Sequence, residues 1–147
     1  MRTKIINNLS AMNKFAGAFV KKLRLNNQRA AVIGLQGNLG SGKTTFVQCV
    51  AKILEIEQYI TSPTFVIQKK YKVNKPGINF VNLIHIDAYR LNSGEELARL
   101  GWREIAANPK NIIFIEWPKR VEEILPSDAI KLHFEFIDEQ TRKISYK

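Results

Sequence analysis

The chain has 147 residues, 45% of them hydrophobic and 24% charged, a composition that excludes a disordered or fibrous protein. Its single cysteine, Cys49, excludes an internal disulfide and a multi-cysteine zinc site, and no apolar run reaches the ~18 residues of a membrane span. The formal net charge of +10 is concentrated on one side: residues 1–54 hold nine Lys/Arg and no acid, whereas residues 55–147 hold fourteen against thirteen.

Three readings compete for that basic region. One is a basic face for nucleic acid. Another is drift in an AT-rich genome, since Lys, Ile and Asn supply 45 of the 147 residues. The third is a transit peptide over residues 1–29. A leader fits poorly with "LSAMNKFAGAFVKKL", which sets Leu9, Met12, Phe15, Ala16, Phe19 and Leu23 on one helical face. Ser10 is the expected N-cap of that helix, and "NNQ" at 26–28 its end.

"AAVIGLQ" follows as a strand buried on both faces, then a glycine loop, then "TTFVQCVAKIL" as a helix with Phe46, Val47, Val50 and Leu54 inward. Cys49 within it reads as core filler. "TSPTFVIQKKYKV" opens with a proline-fixed loop and passes into a strand. The turn "NKPG" at 74–77 leads to "INFVNLIHID", giving a β-hairpin. Residues 93–107, opened by "SGEEL", read as one helix. After Asn108–Pro109, "NIIFIEW" is another buried strand and "PKRVEEIL" a short helix with Pro118 in its first turn. "DAIKLHFEFID" and "RKISYK" form a terminal hairpin. The expected architecture is α/β: a P-loop NTPase-like three-layer fold with a mixed, mainly parallel central sheet and β-hairpins, with residues 1–147 forming a single P-loop ATPase domain.

Gly37, Gly42, Lys43 and Thr44 satisfy G-x-x-x-x-G-K-[ST] between a predicted strand and a predicted helix. In that context backbone amides and the helix dipole hold the β-phosphate, Lys43 bridges the β- and γ-phosphates, and the Thr44 hydroxyl ligates Mg²⁺. Gly40, Ser41 and Thr45 complete the expected nucleotide-binding set. A lysine at a helix start is otherwise repelled by the dipole. Mg²⁺ also needs an acid at the end of a neighbouring strand, and two qualify, Asp87 ending "NLIHID" and Glu116 ending "NIIFIE"; the alternative for each is a solvated loop acid. His85 and His133 read as sheet-face residues.

GTP is disfavoured, because "NKPG" carries Gly77 where a guanine-reading motif has Asp, and "AYR" follows Asp87 where a D-x-x-G switch would need glycine. The base is therefore read as adenine and the nucleotide as ATP. A small-molecule kinase is the alternative enzyme class. Arg99 and Arg103 are spaced to serve a lid, but "EELARLGWRE" has the pattern of a salt-bridged solvent face. A third reading is a basic RNA-binding protein in which nucleotide only locks the fold, and no aromatic-interleaved motif supports it.

"GNLGSGKTTF", "TSPTF", "IDAYRL" and "IIFIEW", in this order and at these separations, resemble the bacterial TsaE (YjeE) family, the ATPase component in biosynthesis of N6-threonylcarbamoyladenosine at position 37 of tRNA. The resemblance spans nearly the whole chain and rests on the set of four. It implies an ATP-binding, Mg²⁺-dependent cytoplasmic ATPase with low intrinsic activity, whose hydrolysis supports turnover of the TsaD–TsaB complex. Contact with tRNA is then indirect, apart from a weak basic contact, and no membrane is involved.

Carried over by position, Lys43 and Thr44 are nucleotide and metal residues, and Glu116 is the second metal ligand and part of the catalytic group. Asp87 and Thr64 are the catalytic and switch-like elements. A threonine on a loop fixed by Pro63 is suited to sensing the γ-phosphate or the metal; the alternative for Thr64 is a turn hydroxyl capping its own backbone. Trp117 is read as lying beside the nucleotide, facing a partner, or packing in the core, and Arg90 as an internal arginine finger or, in preference, an ion pair. Asn38 stands where the family usually shows an acid and Ser41 where alanine is common. The basic hairpin tip "KKYKVNKPG" is either a tRNA contact or more of the same drift. The adenine contacts stay open, with the N-terminal helix start and Arg142 as candidates.

Overall fold

The computed structural model describes residues 1–23 and 26–147. Seven strands form one sheet in the order β1-β7-β6-β2-β5-β4-β3, comprising β1 (Arg2–Ile6), β2 (Ala31–Gln36), β3 (Gln68–Lys72), β4 (Asn82–Asp87), β5 (Asn111–Glu116), β6 (Ile130–Phe136) and β7 (Arg142–Tyr146). The four central strands β6, β2, β5 and β4 run parallel, and antiparallel partners extend both sides. The parallel strands are apolar along their length because helices cover both faces; every residue of β5 is buried.

Helices α1 (Leu9–Lys22) and α2 (Lys43–Ile53) cover one face. Phe46 of α2 is fully buried, its ring centroid 5.8, 5.5, 6.0 and 5.6 Å from those of Phe15, Phe19, Phe114 and Phe134. These offset and edge contacts lock α1, α2 and the sheet together. The other face is covered by α3 (Gly94–Ala98), α4 (Trp102–Ala107) and a 3₁₀ segment, Pro118–Ile124, around Leu97, Trp102 and Val121. The expected α/β three-layer fold and both hairpins are present, and Phe46, Val47, Val50 and Leu54 are inward as the helical spacing requires.

Four local expectations are corrected. A short N-terminal strand, β1, precedes α1; four of its five residues are exposed, so no apolar alternation marks it. The N-cap of α1 is Asn8, whose Oδ1 accepts from the Ala11 amide at 2.8 Å, rather than Ser10. Leu9 is consequently in the first turn and 61% exposed rather than in the core. Residues 93–107 form two helices: the first ends at Ala98, and Gly101, in the left-handed region at φ +91°, redirects the chain as the N-cap of the second. Helix α1 stops at Lys22, with Leu23 extended after it, short of the expected end at 26–28, where the chain is non-helical; residues 24–25 lie outside the described residues. Among the described residues no helix is long and apolar enough to cross a membrane.

Candidate active site

The chain leaves β2 at Gln36, turns through residues 37–42 and enters α2, at the point where β2 has β5 on one side and β6 on the other. Open parallel sheets bind ligands at such switch points. Helix α2 starts at Gly42 with φ 105°, without a side-chain cap and without an acid in its first turn. Its first-turn amides and positive dipole end therefore remain available to an anion. Gly37 is fixed by packing: a Cβ there would lie 2.5 Å from the Phe134 carbonyl oxygen and 2.6 Å from Ser41 Oγ.

Lys43 is 5% exposed, and its Nζ donates to the Gly37 carbonyl oxygen at 2.5 Å. The same Nζ sits 3.9 Å from Glu116 Oε1 and 4.2 Å from the centroid of the Trp117 ring. Burial lowers the Lys43 pKa, and the nearby Glu116 and Asp87 carboxylates oppose that shift. The ammonium is thus desolvated, held by the loop it serves, and close to two acids.

Those acids are brought together by strand register. Asp87 at the end of β4 is paired directly with Glu116 at the end of β5. Both are 4% exposed, so neither is the solvated loop acid that the sequence also allowed. Glu116 Oε2 accepts from Thr44 Oγ1 at 3.3 Å. Asp87 Oδ2 accepts from Thr64 Oγ1 at 2.9 Å, and its Oδ1 accepts from the Tyr89 amide at 2.9 Å. Thr64 also exchanges a hydrogen bond with Ser62 Oγ at 2.8 Å. The Thr64 hydroxyl is accordingly spent on the site and on Ser62.

His85 corrects the reading as a plain sheet-face residue. It is fully buried, and its Nε2 lies 2.7 Å from Glu116 Oε2, while Nδ1 has no hydrogen-bond partner among the described residues. The signal in the sequence was its place two residues before Asp87 in a strand, which puts both side chains on one sheet face. Only the pairing of β4 with β5 reveals that Glu116 shares it. His133, by contrast, is exposed.

A cavity of about 610 Å³ opens over these groups. Gly40, Gly42, Lys43, Thr44 and Thr45 line it, with Thr64, Asp87, Glu116 and Trp117. Ile6, Asn8, Leu9, Met12 and Arg142 also contribute, so the start of α1 and the C-terminal hairpin, both candidates for base contacts, border the same space. Gly37 and Ser41 are not in this lining; Ser41 is 1% exposed and its hydroxyl is unpaired among the described residues. The oxygens of Thr44, Glu116 and Asp87 are hard donors without a soft ligand among them. Such a set fits Mg²⁺, which takes few protein ligands beside phosphate and water.

Trp117 lines the cavity, with its backbone in the left-handed region at φ 60° and its ring 5.1 Å from that of Tyr89. Arg90 stacks on Phe65, its guanidinium carbon 4.9 Å from the ring centroid, and has no ion pair among the described residues where one was expected. Arg99 pairs with Glu95 at 2.9 Å on the exposed face of α3, and Arg103 borders a separate cleft beside Trp102. Neither is in the lining of the cavity, so a kinase-type arginine clamp is not supported.

Fold and loop together define a P-loop NTPase-like α/β protein. Within that class the chain belongs to the TsaE family: the family described as "Threonylcarbamoyl adenosine biosynthesis protein TsaE" matches residues 6–144. The TsaE protein of Rickettsia felis is 35% identical over 142 residues, 96% of this chain and 77% of that protein. That of Rickettsia bellii is 33% identical over 94% of this chain and 89% of its own length, and that of Aquifex aeolicus 36% identical over 77% and 74%. Each carries the name tRNA threonylcarbamoyladenosine biosynthesis protein TsaE. A crystal structure of YdiB from Bacillus subtilis has the same fold, with a TM-score of 0.74, 24% identity, and coverage of 99% of this chain and 83% of that one. The resemblance read from four short motifs therefore extends over the length of the chain, and it assigns the protein to tRNA threonylcarbamoyladenosine biosynthesis.

Proposed function

We propose that this protein binds and hydrolyses Mg²⁺-ATP in the cytoplasm, at a low rate when alone, and that hydrolysis supports turnover of a TsaD–TsaB complex modifying adenosine 37 of tRNA. The observation that carries the reading is the convergence of Lys43, Thr44, Asp87 and Glu116 on one cavity at the open end of α2. A lysine, a hydroxyl and two carboxylates in that arrangement suit a triphosphate with a divalent cation and suit few other ligands.

In this reading the amides at the start of α2 and Lys43 bind the phosphates, and Thr44 with Glu116 hold Mg²⁺. The metal, when bound, neutralises charge that develops on the phosphate oxygens. Lys43 would leave the Gly37 carbonyl for the phosphates, a short swing that costs one hydrogen bond and relieves an ammonium buried among loop atoms. Asp87, fixed by Thr64 and the Tyr89 amide, presents a carboxylate toward the same space and is the candidate for orienting water. Thr64 links that carboxylate to the loop at 61–67, so a change at the phosphates is passed to a surface on which Phe65 is 82% exposed. A partner bound there would sense the nucleotide state.

The deciding experiment is an ATPase assay of the protein alone and with TsaD–TsaB. Slow turnover alone and a clear acceleration in the complex are expected; equal rates would overturn partner activation. Release of ADP that depends instead on an added metabolite would establish the small-molecule kinase.

A further inference from the structure

We infer that His85 is a positioning residue for Glu116: it holds the carboxylate oxygen that faces Thr44, on the metal side of the site. The inference rests on the Mg²⁺ reading above.

Glu116 has three neighbours of very different strength. His85 Nε2 lies 2.7 Å from Oε2, Thr44 Oγ1 lies 3.3 Å from the same oxygen, and Lys43 Nζ lies 3.9 Å from Oε1. The short contact is to a ring that is itself fully buried, in the middle of β4 with β3 on one side and β5 on the other. The His85 backbone is held by hydrogen-bonded strands on both sides, which sets the ring as a fixed point for the longer Glu116 side chain. A hydrogen on Nε2 makes His85 the donor to the carboxylate. The unpartnered Nδ1 then carries only a lone pair, a smaller burden in an apolar setting than an orphaned N–H.

Glu116, at 4% exposure, is largely shielded from bulk water, and the nearest cation is Lys43, already 3.9 Å from Oε1. Without the His85 contact, Oε2 keeps only the weaker 3.3 Å contact with Thr44, and the carboxylate loses the position from which it shares the metal site with that hydroxyl. Outer partners that orient a ligand in this way typically change metal affinity by about 10–100-fold.

The test uses Mn²⁺ as the metal probe and ADP as the nucleotide, on the full chain. Free Mn²⁺ is counted by electron paramagnetic resonance, metal-free ADP binding is measured by calorimetry, and folding by thermal melt. For His85→Leu, Mn²⁺ affinity in the presence of ADP is expected to fall about tenfold or more, with metal-free ADP binding within about threefold of the unsubstituted protein. For His85→Gln, whose amide nitrogen reaches the Nε2 position, Mn²⁺ affinity is expected to return to within about threefold. If the leucine variant fails to fold, His85→Asn takes its place, since its shorter amide reaches only the Nδ1 position; Asn weak and Gln strong supports the inference, and equal values overturn it. Unchanged Mn²⁺ binding in a folded His85→Leu protein overturns the inference and leaves the Mg²⁺ reading standing. Equal losses of metal and metal-free ADP binding in both variants also overturn it, in favour of a structural role. No ADP-linked Mn²⁺ binding by the unsubstituted protein would overturn the Mg²⁺ reading and this inference together.

Discussion

Thr64 Oγ1 donates to Asp87 Oδ2 at 2.9 Å, a hydrogen bond between a proline-fixed loop and the end of a central strand 23 residues further along the chain. It is the one side-chain bond that joins the loop to the acid cluster among the described residues, so it is where site and surface are coupled. Thr64→Val keeps the shape and removes the donor. ATP turnover is expected to fall about tenfold, the effect of roughly 1–1.5 kcal/mol, while ADP affinity stays within about twofold. Thr64→Ser should retain most of the rate. Steady-state hydrolysis and an ADP titration check both, and a valine variant as active as the parent would remove Thr64 from the mechanism.

Glu116 and Thr44 share an oxygen contact at 3.3 Å, and the two are expected to act as one metal site. In Glu116→Ala and Thr44→Ala the Mg²⁺ concentration giving half-maximal turnover should rise by about tenfold or more, with a smaller loss of nucleotide affinity. Metal titrations at saturating ATP measure this. An unchanged Mg²⁺ dependence in Glu116→Ala would transfer the ligand role to Asp87.

Trp117 offers an optical readout, because the Lys43 ammonium lies 4.2 Å from its ring while Trp102 is buried in the cluster on the other face of the sheet. In a Trp102→Phe background, ADP should change the emission of Trp117 as Lys43 leaves the ring for phosphate. Adding Lys43→Ala should remove most of that change. Emission that ignores saturating ADP would show that the lysine does not move on binding.

Gly37 tests the loop as packing instead of chemistry. A methyl group 2.5 Å from the Phe134 carbonyl oxygen must displace β6 or the loop, so Gly37→Ala should cost about 1–3 kcal/mol. For a chain of this length that is a fall in melting temperature of roughly 2–12 °C, read by calorimetry. A melting temperature at the parent value would mean that the loop yields to the extra methyl group without cost and that close packing on β6 does not require glycine there.

Much of this site was legible in one dimension. The loop motif between a strand and a helix requires only local geometry, so Lys43, Thr44 and the open start of α2 follow from spacing. Apolar strands ending in single acids likewise mark Asp87 and Glu116, since an unpaired carboxylate at the end of a buried strand has few other uses. The strand β1 was not legible, because an edge strand with four exposed residues has no hydrophobic alternation to read. The break at Gly101 was lost for a related reason, its glycine being compatible with either one helix or two.

What the sequence determined by itself is the chemistry available: a phosphate loop, two strand-end acids, a threonine beside a proline and a family signature in four motifs. What only the tertiary structure decided is which of these meet. Register between β4 and β5 pairs Asp87 with Glu116, and the same register brings His85 to 2.7 Å of Glu116 across 31 residues of chain. The start of α1 and Arg142 reach the cavity in the same way, through β1 pairing with β7 at the far side of the sheet. Hydrogen bonding between strands has no local sequence code of its own, so the partner of a buried polar side chain is set by the folded sheet and not by its neighbours in the chain.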